Sequence, residues 1–442
     1  MMLEGLYFLF GSVLFSLVIK VDLTTLVSDV IPSNISDPSI PIPHVDVHIN
    51  ISSSCPHLCL CDDLRGYVSC VGNWTTTLPC VSDNVTKLEI KFFNISQLEL
   101  SHLSDLSGLK ELIASSLNLV NISSSSFSHL VELEKLDLSA NHLEILTSNQ
   151  LAGPARSLRF LDISSNDLFS IEKAFSNCSS LKQLILANNK LTSILIDTFI
   201  GLSSLEYLNL QHNQIQSIEI GSFIHLVHLS DLIIANNPIV PTTRFDFTSG
   251  YLHQFDLSST NMSSLPHGIN PFLRDLRFVN NQLTSIGSNE LANYPHLNVL
   301  VLDSNNIELI DADAFDQLEH LEELSLRENH LNNVPQGLPT SLKKLYLGHN
   351  LISLLSAGIV QHLINLEELS LNNNQLQKID DSAFFGLKNL KILDISGNKI
   401  VNLPRKVILP LISLQVFNVS KNPFSSQHHE SNKLRSNVET KI

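Results

Sequence analysis

No run of lysine or arginine occurs in the 442 residues, which carry 43 acidic and 27 basic side chains for a formal net charge of −16. Nucleic-acid affinity comes mainly from cations that neutralise phosphates, so a nucleic-acid partner is excluded. Glycine-rich phosphate loops, a nucleophile elbow and metal-spaced histidine pairs are also missing. The chain is therefore not expected to be an enzyme or to hold a cofactor or metal. The acidic clusters "DADAFD" (311–316) and "DD" (380–381) read as solvated faces, and His428-His429 lies in a polar tail. Beyond Gly5–Ile19 no segment is long and apolar enough to span a bilayer. The final "SNVETKI" lacks the hydrophobic tail of a lipid-anchor signal. Residues 21–54 contain no tyrosine and no Ser-Gly, which excludes sulfated tyrosine and the simplest glycosaminoglycan attachment there.

The apolar stretch Gly5–Ile19 has the length of a secretory h-region, which makes residues 1–20 a signal peptide. Glu4 stands where a positive residue is usual, so the alternative is an uncleaved signal anchor holding a receptor-like or adhesion ectodomain at a membrane. Nine Asn-x-Ser/Thr sequons support export: Asn34, Asn50, Asn73, Asn84, Asn94, Asn121, Asn177, Asn261 and Asn418. Residues 21–54 are rich in Pro, Ser and Asp and read as a disordered acidic segment without a core of its own.

From Val85 a fixed period takes over. Units begin at Val85, Leu109, Leu133, Leu158, Leu181, Leu205, Leu229, Leu252, Leu273, Leu297, Leu321, Leu342, Leu366, Leu390 and Leu414, mostly 24 residues apart and twice 21. The shared pattern L-x-x-L-x-L-x-x-N-x-L is the signature of a leucine-rich repeat. One unit cannot enclose its own apolar face, so about fifteen units stack over residues 85–424. The predicted fold is an α/β-type solenoid, a horseshoe whose concave wall is a parallel β-sheet. In residues 366–379, Leu366, Leu369, Leu371, Leu376 and Ile379 point inward, and Asn374 sits where the chain leaves the strand. A side-chain amide supplies both donors and an acceptor for buried turn backbone. Its counterparts form a ladder from Asn141 to Asn422, interrupted at Thr260, and the two units before it carry Phe93 and Leu117 at that position. The first two turns are expected to be irregular for that reason. Phe127, Phe175, Phe199, Phe223, Phe247, Phe315 and Phe384 recur at one phase and read as an outer core spine.

Cysteine marks the start of the repeats. "CPHLCLCDDLRGYVSC" places Cys55, Cys59, Cys61 and Cys70 in C-x3-C-x-C-x8-C spacing within a cap over residues 55–84. Four cysteines allow three pairings, and an exported chain favours disulfides over zinc. Cys178 occupies a leucine position and reads as a buried thiol. Cys80 lies about four repeats from it, roughly 19 Å at the strand spacing, which leaves burial or a bridge to another chain.

The cysteine cluster followed by Leu78-Pro79 resembles the N-terminal cap of extracellular leucine-rich repeat proteins. The phrase "VPQGLPTSLKKLYLGHNLI" (334–352) is similar to a short repeat of the small leucine-rich proteoglycan and chondroadherin group. That resemblance covers residues 55–424 and implies the bridges Cys55–Cys61 and Cys59–Cys70. It also implies collagen or cell-surface partners. The chain departs from the group after Asn422-Pro423-Phe424, where no cysteine-bearing cap follows. Residues 425–442 form a polar tail, and the last repeat is shielded by that tail or by a partner, or belongs to a shortened form.

Binding residues are expected among the solvent-facing positions of the strands, where a rigid curved array needs little ordering. One patch comprises Phe160, Ile185, Tyr207 and Ile233; a second comprises Arg274, Arg277, Val301, Arg327, Lys344 and Tyr346. Aromatic and arginine side chains are the usual anchors of interfaces. No sequon falls between Asn261 and Asn418, and a glycan on Asn418 would close off the last unit. The expected partner is an extracellular protein or matrix component, with a membrane involved only through an uncleaved N-terminus and the oligomeric state open.

Overall fold

A computed structural model describes residues 55–441 apart from 57, 74–83, 99–102, 104, 105, 242–244, 246, 248, 267, 268 and 424–437. The expectations for Gly5–Ile19, segment 21–54, Asn34, Asn50, Cys80 and His428-His429 fall outside these residues.

Alternation at period two places one side chain of each short strand in the core and its two neighbours on the open side. Leu369 is buried between Glu368 and Ser370, and the same register recurs in the adjoining repeats, with Leu345, Leu369 and Leu393 directly opposite one another. Fifteen such strands, from Lys87–Lys91 to Val416–Asn418, pair in parallel along one continuous sheet. Units of different length keep the register: Leu232 faces Phe255, and Phe255 faces Leu276. The additional residues are therefore absorbed on the outer side, and the sheet forms the concave wall of the solenoid.

Behind the sheet lies one unbroken apolar cluster from Val68 to Val419. Phe127, Phe175, Phe199, Phe223, Phe315 and Phe384 are fully buried within it, and Phe247 is partly buried against it. Within it Phe199 and Phe223 stack with ring centroids 5.9 Å apart, and Phe223 and Phe247 with centroids 5.2 Å apart. Cys178, at 1% exposure, takes a leucine's place, and burial pushes its thiol up to about 12. A thiol held neutral in this way is a packing group.

Each ladder asparagine binds backward to the preceding repeat. Asn374 Oδ1 accepts from Ile352 N at 3.0 Å, while Nδ2 donates to Leu347 O at 2.8 Å and to Leu371 O in its own repeat at 3.1 Å. The residue before the asparagine is left-handed in every turn, as at Glu328 (φ 55), Asn373 (φ 51) and Gly397 (φ 63). A non-glycine residue in that region costs about 1 kcal/mol, which the amide bonds offset. Thr260 Oγ1 bonds Leu257 O in its own repeat at 2.6 Å and Asn281 Oδ1 of the next at 3.2 Å, but reaches nothing in the preceding repeat. The first two turns depart less than expected. Phe92 (φ 59) and Ser116 (φ 56) hold the same left-handed turn, with Phe93 and Leu117 buried in the amide's place. The change falls on their strands, Lys87–Lys91 and Glu111–Ser115, which run to five residues instead of three.

Both ends of the sheet are covered. At the start, Cys59–Asp62 pairs antiparallel with Tyr67–Val71, which pairs in parallel with Lys87–Lys91. Disulfides join Cys55 to Cys61 and Cys59 to Cys70, and Cys70 is fully buried. At the far end, Glu439–Lys441 adds one more parallel strand beside Val416–Asn418. Part of the stretch expected to be a polar tail is therefore an edge strand. It satisfies the last repeat's backbone, with Val419 N donating to Lys441 O at 2.9 Å.

Candidate binding face on the concave strands

Two columns of side chains flank the buried leucine column on the concave wall. Arg277, Val301, Ser325 and Tyr346 stand in one column on four consecutive strands, each directly opposite the next. Arg327 follows its strand by two residues and lays its guanidinium over the Tyr346 ring, with Cζ 4.0 Å from the centroid. Such a cation–π pair holds the cation at the surface without a carboxylate. Beneath it Asp303 Oδ1 accepts from Ser325 Oγ at 2.5 Å and from Arg327 N at 2.8 Å, and burial raises the Asp303 pKa. Tyr346 is 8% exposed, and its hydroxyl donates to Glu368 Oε2 at 3.0 Å. Burial, then the bond to Glu368, raises its pKa. The ring is thus part of the wall, and Arg327 is the part that faces outward.

Lys344 stands in the neighbouring column and is tied to Glu323 at 2.9 Å. Arg277 pairs with Asp275 on its own strand face at 3.0 Å, because residues two apart on a strand share a side. Asp275 is buried enough to raise its pKa, and its Oδ1 and the Nε of Arg277 are buried without a hydrogen-bond partner. An unpaired buried polar atom costs about 1–3 kcal/mol, so this pair is under-satisfied within the wall.

Five of the six residues expected in the second patch are therefore brought together. Arg274 is not. It precedes its strand, Asp275–Arg277, and lies on the flank with Tyr251, Phe272 and His296. The first patch is not continuous either. Phe160 and Tyr207 both face Gln183, and Ile185 and Ile233 both face Asn209, so no two of the four are directly opposite. Lys135 caps the Phe160 ring at 5.0 Å, which removes part of the apolar surface.

Asn73, Asn84, Asn94, Asn121, Asn177 and Asn261 are exposed. Asn418 is half-buried, with Nδ2 donating to Asp394 Oδ2 at 3.0 Å and Oδ1 accepting from Ser420 Oγ at 2.8 Å. The acidic outer clusters are engaged in turns: Asp311 accepts from Ser288 N at 2.9 Å and Asp380 from Ala357 N at 3.1 Å. Among the described residues no group of three His, Cys, Asp or Glu side chains converges as a metal-ligand set, and no helix is long and apolar enough to cross a membrane.

The leucine rich repeat family model matches residues 156–215, 179–239, 271–331, 320–376 and 364–424, more than half of the chain. Mouse (Mus musculus) podocan is 30% identical over 348 residues, covering 71% of this chain and 56% of podocan. Mouse podocan-like protein 1 is 28% identical over 308 residues, 66% of this chain and 45% of that protein. The chain spans about half the length of these curated relatives. Both are small leucine-rich proteoglycans. Among solved structures, a leucine-rich repeat protein of Leptospira interrogans superimposes with a TM-score of 0.62 at 26% identity, over 81% of this chain and 96% of that one. With its register, its asparagine ladder and these matches, the chain belongs to the leucine-rich repeat family.

Proposed function

We propose that the chain is a secreted, N-glycosylated protein that binds an extracellular protein or matrix component through its concave wall, centred on Arg277 and Arg327. The observation that carries this reading is the Arg327–Tyr346 stack beside the under-satisfied Asp275–Arg277 pair. A cation held by an aromatic face and a guanidinium whose side chain is 42% exposed are both groups that a partner's carboxylates or carbonyls can bind. Similarity to podocan, an extracellular matrix protein, supports the location. Val301, opposite Arg277, is 9% exposed and belongs to the wall as Tyr346 does, while half-buried Val299 in the neighbouring column, opposite Asp275 and Glu323, offers apolar surface beside the arginines. Val299 did not stand out in the sequence, because a valine on a strand is ordinary.

The test is affinity capture from extracellular extracts with the glycosylated chain. Arg277→Gln with Arg327→Gln is expected to weaken capture about 100-fold, two anchors at roughly tenfold each. Ile185→Ser with Ile233→Ser is expected to leave it unchanged. Tyr346→Ala is a poorer probe, since its buried ring also packs the wall. Equal capture by the arginine variant would remove this patch from the reading.

A further inference from the structure

The residue just before the first leucine of each unit lies on the flank of the solenoid. In eight of the fifteen units it is serine or asparagine, and four of these bond the preceding repeat: Ser157 Oγ donates to Leu133 O, Ser341 Oγ to Leu321 O, Asn365 Nδ2 to Thr340 O and Asn389 Nδ2 to Ile364 O. In five consecutive units it is a ring instead: His228, Tyr251, Phe272, His296 and His320. The rings stack along the solenoid axis, at 5.8 Å for His228–Tyr251, 5.6 Å for Phe272–His296 and 5.9 Å for His296–His320. Tyr251 is 56% and Phe272 52% exposed. Among the described residues the rings of Tyr251, Phe272, His296 and His320 make no hydrogen bond. His228 keeps a bond to the preceding repeat, with Nδ1 2.7 Å from Ser203 O, so the pattern is broken in the next four units, toward exposed rings, and that points to a ligand.

Tyr251, Phe272, His296 and His320 line a groove of about 650 Å³ with His253, Arg274 and Asn298. No carboxylate lines it, although acidic side chains outnumber basic ones 43 to 27 in the chain. The nearest strand carboxylates are already matched, Asp275 by Arg277, Glu322 by Lys343 and Glu323 by Lys344. Arg274 has no carboxylate partner among the described residues. The backbone here offers nothing to a peptide strand: Arg274 N and Asp275 N both donate to His253 O, and Asn298 N and Val299 N both donate to Arg274 O. Recognition must therefore come from ring surface and side-chain donors. A peptide docked by strand addition needs free backbone groups, whereas a sugar ring presents C–H faces to aromatics and needs none.

We infer that this flank groove binds an acidic saccharide, its carboxylate or sulfate on Arg274 and the imidazoles and its ring faces against Tyr251 and Phe272. The site is separate from the concave patch, and Arg274 belongs to it. Using the full glycosylated chain, binding of a heparin-derived oligosaccharide is expected to weaken roughly tenfold in Arg274→Glu and again in Phe272→Ala. Both side chains are exposed, so the melting temperature should hold. The Arg277→Gln, Arg327→Gln variant should bind the oligosaccharide as the parent does, which separates this site from the concave reading. A neutral maltooligosaccharide should not bind. The inference is overturned if Arg274→Glu and Phe272→Ala bind as the parent does. It is equally overturned if loss follows Arg156→Ala with Lys182→Ala on the neighbouring flank, or if poly-glutamate competes equally well, since charge alone or an acidic peptide would then explain the binding.

Discussion

Asn329→Ala is expected to destabilise the solenoid by about 3–4 kcal/mol, measured as the loss in denaturant-unfolding free energy. The side chain is 4% exposed and makes four bonds: Oδ1 accepts from Ile307 N at 3.0 Å, and Nδ2 donates to Leu302 O, Leu326 O and Arg327 O at 2.9, 3.2 and 3.0 Å. Each net bond is worth about 1 kcal/mol, and a buried N–H left bare adds about 1–3 kcal/mol. Ile307 N has no other partner among the described residues and loses its acceptor outright. Leu302 O lies in the preceding repeat, so the damage crosses the interface between units. Asn306, exposed in the adjacent turn, is the matched control and should lose less than about 0.5 kcal/mol on the same change. Equal, small losses at both positions would show that the ladder is ornament.

Removing the Cys59–Cys70 bridge by paired serine substitution is expected to cost about 2–5 kcal/mol, and the loss should be confined to one end. The hairpin it closes covers the first repeat: Val68 and Cys70 are buried, opposite Leu88 and Ile90. Serine at Cys70 also places a hydroxyl at a fully buried site. Because each unit touches only its neighbours, fraying starts there and stops where repeat interfaces are intact. Hydrogen exchange should therefore quicken in Tyr67–Val71 and Lys87–Lys91 and stay unchanged in Lys344–Tyr346 and Glu368–Ser370. Uniform loss along the chain would mean that the solenoid unfolds as one cooperative unit.

The repeat register was legible because leucine spacing, strand period and the turn asparagine all answer to one geometry. Leu369 between Glu368 and Ser370 could be placed from the string alone. The C-terminal strand could not, since Thr440 stands where other units have leucine and its pairing depends on backbone, not side chains. Nor was the persistence of the turn at Phe92 and Ser116 visible: losing the amide was a fair reason to expect irregularity, but strand extension satisfied the same backbone groups. In the binding face, side-chain identity could be read but engagement could not. Lys344 looks like a free cation until its neighbour strand brings Glu323 within 2.9 Å. Arg274 looks like part of the wall until the strand is seen to start one residue later, at Asp275. The flank rings carried a readable signal, five rings at repeat spacing in a column where eight of the other ten residues are Ser or Asn. They pass unnoticed when only the strand positions are searched.

The central claim is that the curved strand wall, and not the outer loops, meets the partner. Arginine modification by phenylglyoxal, read by mass spectrometry on the free chain and on its complex with the captured extracellular protein, tests this most directly. The account predicts that Arg277 and Arg327 are protected in the complex while Arg156 and Arg159 on the flank react as before. Arg277 and Arg327 reacting at the free rate within the complex, with protection elsewhere, would contradict it.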